Sequence, residues 1–488
     1  MSRGRAVAGS AAVLVGSQVV VTVVQVGTGA ATARLLAPAA FGTFAAAMAI
    51  TGLLGVVLTS ATATAVLREH ELTPARVSKL WASAGIQGAL GAAVTWLAAP
   101  AWAALYDTPD AVTLVRWLAI QVGLSPLAVT SSALLRRERR AFADGVTQGG
   151  SVVVGLLVGL AAVWIWREGV LLVVSPIVAV ITLLVGTLVL RRERYPWESP
   201  DKAWSVRRAN TQIVLQNLYF FVLSAVPVWL VSQAGSSHEL GLFSRASAIP
   251  SMVVGAVTVG LVRSAQPYYR SVAEENRGSA LRDLVVMTGA IGIPVMTVIA
   301  ATADPLLTVW LGPRWVDGAR YVPLVAAGSA VYLMFTLLAN AAETLSYLKE
   351  VRFAQLAMLP ALLAVAAVSF GLGSAMLAAA TMLVVALPGL ATLVVVLVRR
   401  GLDHLGGALR ATALQLGVGV VIGGAGWLCA QATGDLGSWP SLVLSGALVA
   451  VLFVVTLPLR PEWSVMRSRG LLPRQFSRSV DASSGASL

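Results

Sequence analysis

The sequence has 488 residues, of which 57% are hydrophobic and only 12% charged, and its mean hydropathy is +0.81. A soluble domain is about one quarter charged, so this composition excludes a water-exposed globular protein and defines a membrane one. The net charge of +13 would suggest a nucleic-acid binder in a soluble chain. Here it is first a topology signal, and no nucleic-acid partner is expected.

A helix needs roughly 20 mostly apolar residues to cross the hydrocarbon core, and such stretches recur from Ala8 to Leu459. Charged and turn-rich breaks place helices near 8–33, 40–66, 80–100, 111–135, 144–166 and 169–190. Further spans fall near 210–232, 240–263, 284–303, 319–342, 352–371 and 374–398, with two more near 410–431 and 440–459. The expectation is an all-α integral membrane protein of about fourteen transmembrane helices. The first apolar stretch, after Arg3 and Arg5, is too long for a cleavable signal and is expected to stay as the first anchor.

The charges test that count. With the N-terminus inside, the cytoplasmic segments hold 29 of the 35 basic residues. Only Arg34, Arg116, Arg167, Arg245, Arg314 and Arg320 remain for the other side. One missed span would reverse every later loop, so the asymmetry supports the count and places both termini in the cytoplasm.

The polar loop 191–210 (RRERYPWESPDKAWSVRRAN) separates six helices from eight. It divides the chain into an N-lobe over 1–190 and a C-lobe over 211–400, followed by two extra helices in 401–460. A basic tail, 461–488, is expected to be disordered beside anionic headgroups. Phe41-Gly42-Thr43-Phe44, opening the second helix, matches Leu240-Gly241-Leu242-Phe243, opening the eighth, at an offset of 199 residues. Both follow an odd-numbered helix and a short outer turn, as a parallel repeat of two lobes requires. Four residues in an Ala-, Gly- and Leu-rich chain also match by chance.

Catalytic chemistry has little to stand on. Cys429 is the sole cysteine, and His70, His238 and His404 lie in separate loops, so no disulfide, metal site, cofactor or catalytic residue is expected. Of the 22 acidic residues, all but Asp144 and Glu343 fall in loops or at their edges. These two sit near cytoplasmic helix ends, as solvated caps or as an ion-coupling site.

Polar faces are more informative. Gln18, Thr22, Gln25 and Thr32 share one face of the first helix, and Gln212, Gln216 and Tyr219 repeat the pattern on the seventh. Ser244, Ser247, Ser251 and Thr258 form a stripe on the eighth. Such faces serve helix packing or line a water-filled cavity, and the larger glutamines favour the cavity. Arg245 lies about 8 Å inside its helix at 1.5 Å per residue, flanking the serine stripe, and Arg116 lies at similar depth in the fourth. Arg34 lies nearly opposite Gln25, close to its helix end, where snorkelling to the outer surface is the simpler role. A guanidinium fork in a cavity suits phosphate oxygens.

Three segments carry a family resemblance. Ala33-Arg34-Leu35-Leu36-Ala37-Pro38-Ala39-Ala40-Phe41-Gly42-Thr43-Phe44 resembles the "A-R-L-L-G-P, two residues, F-G, one residue, F" opening of Wzx-type polysaccharide flippases, members of the multidrug, oligosaccharidyl-lipid and polysaccharide exporter superfamily. Leu240-Gly241-Leu242-Phe243-Ser244-Arg245-Ala246 is similar to that family's "L-G-L-Y-S-R-A", and Ala133-Leu134-Leu135-Arg136-Arg137 to its "A-L-L-Q-R". Ala37, Phe243 and Arg136 depart from the usual glycine, tyrosine and glutamine. The resemblance implies a two-lobe transporter of six plus six helices with two more at the C-terminus. Its substrate would be a polyprenyl-diphosphate-linked sugar, moved from the inner to the outer leaflet of the bacterial plasma membrane through a cation-lined cavity. Arg245 falls on a motif position. The implied partners are the lipid-linked sugar, membrane lipids and polysaccharide assembly proteins.

Three alternatives stand beside this reading. A multidrug or small-cation exporter of the same superfamily needs intramembrane carboxylates, and the first helix has none. A membrane-embedded polysaccharide polymerase or transferase needs a long outer loop with catalytic residues, which the spacing does not provide. A non-transporting scaffold leaves no mark in sequence.

Overall fold

The structure, a computed structural model, describes residues 20–68, 71–138, 140–193, 195–200 and 211–468. Among them twelve helical segments are long and apolar enough to cross a membrane, and two shorter apolar helices, Val20–Leu35 and Phe221–Ala234, fall where further spans were expected. No strand occurs among the described residues. The protein is an all-α, multi-pass membrane protein. In lipid each backbone group must be satisfied within the protein, and hydroxyls follow the same rule. Thr95, Thr130 and Thr187 each donate at 2.7 Å to the carbonyl four residues earlier.

The chain divides into two compact units. The first comprises Met1–Arg245, Trp310–Trp315 and Ser369–Ala378. It holds α1 (Val20–Leu35), α2 (Pro38–Arg68), α3 (Pro74–Leu105), α4 (Ala111–Arg137), α5 (Ala141–Trp166), α6 (Val174–Leu190), α7 (Thr211–Ala234) and nearly all of α8 (Ser237–Ala246). Pro38 and Pro74 open α2 and α3, where their missing N–H would have no helical partner anyway. Thr73 caps α3, its Oγ1 accepting the Arg76 N–H at 3.4 Å.

Small residues let these helices meet at the backbone. A Cβ on Gly88 of α3 would stand 2.1 Å from the Gly123 carbonyl oxygen of α4, and one on Gly155 of α5 would stand 2.5 Å from that of Ser175 in α6. Ala47, Ile50, Leu114, Val115 and Leu118 form a buried cluster in this unit. The Trp102 indole donates to the Ala46 carbonyl at 2.9 Å. The start of the polar loop packs on this unit too. Glu138 accepts the Arg192 N–H at 2.9 Å, and Ser78 accepts that of Glu198 at 3.0 Å. Burial, reinforced by its bond to Glu193, pushes the Tyr195 phenol in this loop up to about 12.

The second unit comprises Ala246–Val309, Val316–Val368 and Ala379–Leu488. Its helices are α9 (Ala248–Ser271), α10 (Arg277–Ala301), α11 (Ala303–Trp310), α12 (Val322–Thr344), α13 (Leu348–Leu372), α14 (Ala375–Ala379), α15 (Thr381–Val398), α16 (Gly407–Ala432), α17 (Ser438–Val455) and α18 (Pro461–Ser468). Trp310 of α11, the last turn of α13 from Ser369 and all of α14 but Ala379 belong to the first unit. The span expected over 240–263 is broken at Ser247, which separates α8 from α9.

The stretch expected to begin the polar tail is helical over α18 and is anchored by a buried ion pair. Arg460 Nη1 lies 3.0 Å from Glu462 Oε1, and Glu462 is wholly buried. Gln415 Nε2 donates to Glu462 Oε2 at 3.0 Å and to the Val286 carbonyl at 3.0 Å, tying α18 to α16 and α10. Burial lowers the Arg460 guanidinium below its ordinary value, against the opposing pull of Glu462. The rest of the tail, 469–488, lies outside the described residues.

Candidate functional site

Two glycines build the candidate site of the first unit. A Cβ on Gly42 of α2 would stand 1.8 Å from the Ser237 carbonyl oxygen, and one on Gly241 of α8 would stand 1.9 Å from that of Pro38. Each acceptor lies four residues before the opposite glycine, so the contact is reciprocal. That is the relation expected of two equivalent copies of one motif. No side chain fits between α2 and α8 here, and the helices touch through their backbones.

That approach positions Phe41 and Arg245. The Arg245 guanidinium lies over the Phe41 ring, 4.4 Å from its centroid. It also belongs to the last turn of α8, where the helix carbonyls favour a cation. Trp315 meets Phe41 edge-on, with centroids 5.2 Å apart and planes at 76°. The Trp315 indole donates to the Ala33 carbonyl at 3.0 Å, and that of Trp310 to Val26 at 2.8 Å, so both tryptophans are fastened to α1. Gly312, at φ +105°, makes the turn between them. A Cβ on Gly29 would lie 3.5 Å from the Trp310 ring and 3.9 Å from Arg245 Nη1, so α1 presents bare backbone to this corner.

Arg245 is half-buried. Its Nε has no acceptor, and among the described residues its guanidinium makes no hydrogen bond or ion pair. The described residues give this cation an aromatic face and a place at a helix C-terminus but no carboxylate. Such a group is electrostatically incomplete, and an anion with two oxygens in one plane completes it.

Ser244 is half-buried, and its hydroxyl donates to the Gly241 carbonyl at 2.9 Å. Gln25 is half-buried on α1. Gln18 lies outside the described residues, as do the side chains of Gln212 and Gln216. Arg34 is exposed on α1 beside Gly312. Arg116 is exposed on α4, stacked over the Trp96 ring at 5.4 Å, a neighbourhood separate from Phe41 and Trp315. Asp144 is buried in a closed network. It accepts from Ser132 Oγ at 2.5 Å and Gln148 Nε2 at 3.1 Å, and pairs with Arg136 Nε at 3.1 Å. Glu343 is half-buried in the last turn of α12, and its carbonyl accepts the N–H of Ser346, which is at φ +71°.

Sequence reasoning missed Trp310, Trp315, Gly29 and the role of the Phe41 ring. A signal was present in Thr308–Trp315 (TVWLGPRW), where two tryptophans flank a Leu-Gly-Pro turn.

The architecture is that of an all-α, multi-pass membrane protein with a cationic corner in its first unit. The structure is similar to one described as lipid II flippase MurJ in an inward closed conformation, at a TM-score of 0.67 and 11% identity, over 91% of this chain and 98% of that one. A multidrug resistance MATE family transporter in its inward-facing conformation aligns at a TM-score of 0.49 and 14% identity, over 79% and 95% of the two chains. No curated protein matches the chain. The sequence model of the family described as polysaccharide biosynthesis protein matches residues 31–320, and the chain belongs to that family.

Proposed function

We propose that the protein flips polyprenyl-diphosphate-linked oligosaccharide or polysaccharide precursors across the bacterial plasma membrane by alternating access, with both termini cytoplasmic. The carrying observation is Arg245, a guanidinium held on an aromatic ring beside glycine backbone with no anion against it among the described residues. A diphosphate supplies the missing charge in a bidentate geometry, and the exposed Arg34 stands on the neighbouring helix end.

The buried acids support an anionic cargo over a cationic one. Those buried among the described residues, Asp144, Glu350 and Glu462, are each paired with an arginine: Arg136, Arg400 and Arg460. A small-cation exporter needs a carboxylate open to its substrate, and among the described residues none lies against Arg245.

Depletion of the protein tests the reading. Lipid-linked sugar is expected to collect on the cytoplasmic leaflet, scored by its protection from an externally added glycan-modifying enzyme. Unchanged outer-leaflet sugar after complete removal contradicts it.

A further inference from the structure

The second unit carries two adjoining cavities that the flippase reading does not use. One, of about 430 Å³, is lined by Ile293 and Thr297 of α10, Ala327 of α12, and Gly423, Gly424 and Trp427 of α16. Apart from the Thr297 hydroxyl its side chains are apolar. It persists because α16 has glycines where side chains would fill it, and a Cβ on Gly424 meets nothing within 4 Å. The other, of about 450 Å³, is lined by Asp304, Asp317, Arg320 and Gln431. Ala300, Pro323 and Trp427 border both, so the two form one amphipathic site. It lies toward the C-terminal end of α10, away from the cations Arg277 and Arg282 at the other end of that helix.

The polar cavity has a definite charge pattern. Among the described residues, neither the Asp304 nor the Asp317 carboxylate makes an ion pair or a side-chain hydrogen bond. Arg320 is held over the Tyr321 ring, 4.9 Å from its centroid, and Nη2 donates to the Tyr321 hydroxyl at 3.0 Å. Two acids against one base leave an excess negative charge beside an apolar slot. An anionic lipid headgroup adds to that charge, whereas a zwitterionic one with an ammonium group neutralises it and still offers its phosphate to Arg320.

We propose that this is a binding site for a glycerophospholipid with a primary-amine headgroup, its ammonium on Asp304 and Asp317, its phosphate near Arg320 and one acyl chain between α10, α12 and α16. On the charge-derived topology the lipid comes from the outer leaflet. The site occupies the second unit alone and is independent of Arg245 and of the transported substrate.

Native mass spectrometry of the purified full chain tests this, with palmitoyl-oleoyl phosphatidylethanolamine and the matching phosphatidylglycerol added separately. The wild type is expected to retain the amine lipid over the glycerol lipid by roughly fivefold, the scale of a charge pair near a surface. The Asp304→Asn, Asp317→Asn double variant should lose that preference. Gly424→Leu, which fills the slot from an open position, should lower retention of both lipids. Equal retention by the wild type, or a preference that survives in the double variant, overturns the headgroup assignment. Undiminished binding in Gly424→Leu overturns the slot, whether or not the aspartate variant folds.

Discussion

At Arg245 the fold sets a guanidinium against aromatic carbon and a helix end with no carboxylate among the described residues, whereas Asp144 receives a full complement of partners. These opposite treatments assign the two residues different work. Removing the charge of Asp144 leaves Arg136 without its counter-ion, and Asp144→Asn is expected to destabilise the protein by about 1–3 kcal/mol. That is below the 3–5 kcal/mol typical of a fully buried pair, because the Arg136 side chain is 36% exposed. Thermal unfolding in detergent reads this directly. A proton or cation reaching Asp144 must displace Arg136, and we propose that any gradient coupling of transport uses Glu343 or Asp144. The Asp144→Asn, Glu343→Gln double variant is expected to lose gradient dependence, and full retention removes the assignment. Arg245 was legible in the sequence because it interrupts an apolar span and falls on a family motif. Its partners were not, since Phe41 and Trp315 are separated from it by 204 and 70 positions. No local periodicity connects residues so far apart.

Among the elements, the crossing of α2 and α8 is the sharpest constraint. The repeated Phe-Gly and Leu-Gly openings were visible as a weak internal match, and the structure gives them a physical cause, since both glycines yield their side-chain space to the other helix's backbone. Gly42→Ala or Gly241→Ala forces the helices apart, and overpacking of this kind costs typically 1–3 kcal/mol. Gly55→Ala, at a position where a Cβ meets nothing within 4 Å, is expected to be neutral or to stabilise by up to about 1 kcal/mol through helix propensity. Equal effects at Gly42 and Gly55 in a thermal melt would contradict the crossing. Hydropathy recovered the helices themselves, because lipid imposes one length and one polarity on every span. It missed the break at Ser247, which leaves the apolar character unchanged. It also missed α18, whose charged residues read as tail. The buried Glu462–Arg460 pair explains that helix, and Glu462→Ala is expected to cost about 3–5 kcal/mol by leaving Arg460 buried and unpaired. Glu462→Ala combined with Arg460→Met should recover part of that loss in the same melt.

For the whole molecule, composition and charge asymmetry were enough to establish a multi-pass membrane protein, because the bilayer acts on every residue of every span. What the protein does was not legible at that level, since one fold supports different functions and only the site distinguishes them. We propose that Arg245, which has no carboxylate partner among the described residues, holds the diphosphate of a lipid-linked sugar during its passage. Translocation of a polyprenyl-diphosphate sugar by the purified protein in sealed proteoliposomes tests it most directly, comparing wild type, Arg245→Lys and Arg245→Ala. Transport is expected of the wild type, with a partial loss in Arg245→Lys, which keeps the charge but not the fork, and a drop of at least about tenfold in Arg245→Ala, as loss of a charge-assisted bond of about 1.5–3 kcal/mol entails. Wild-type rates in Arg245→Ala would contradict it.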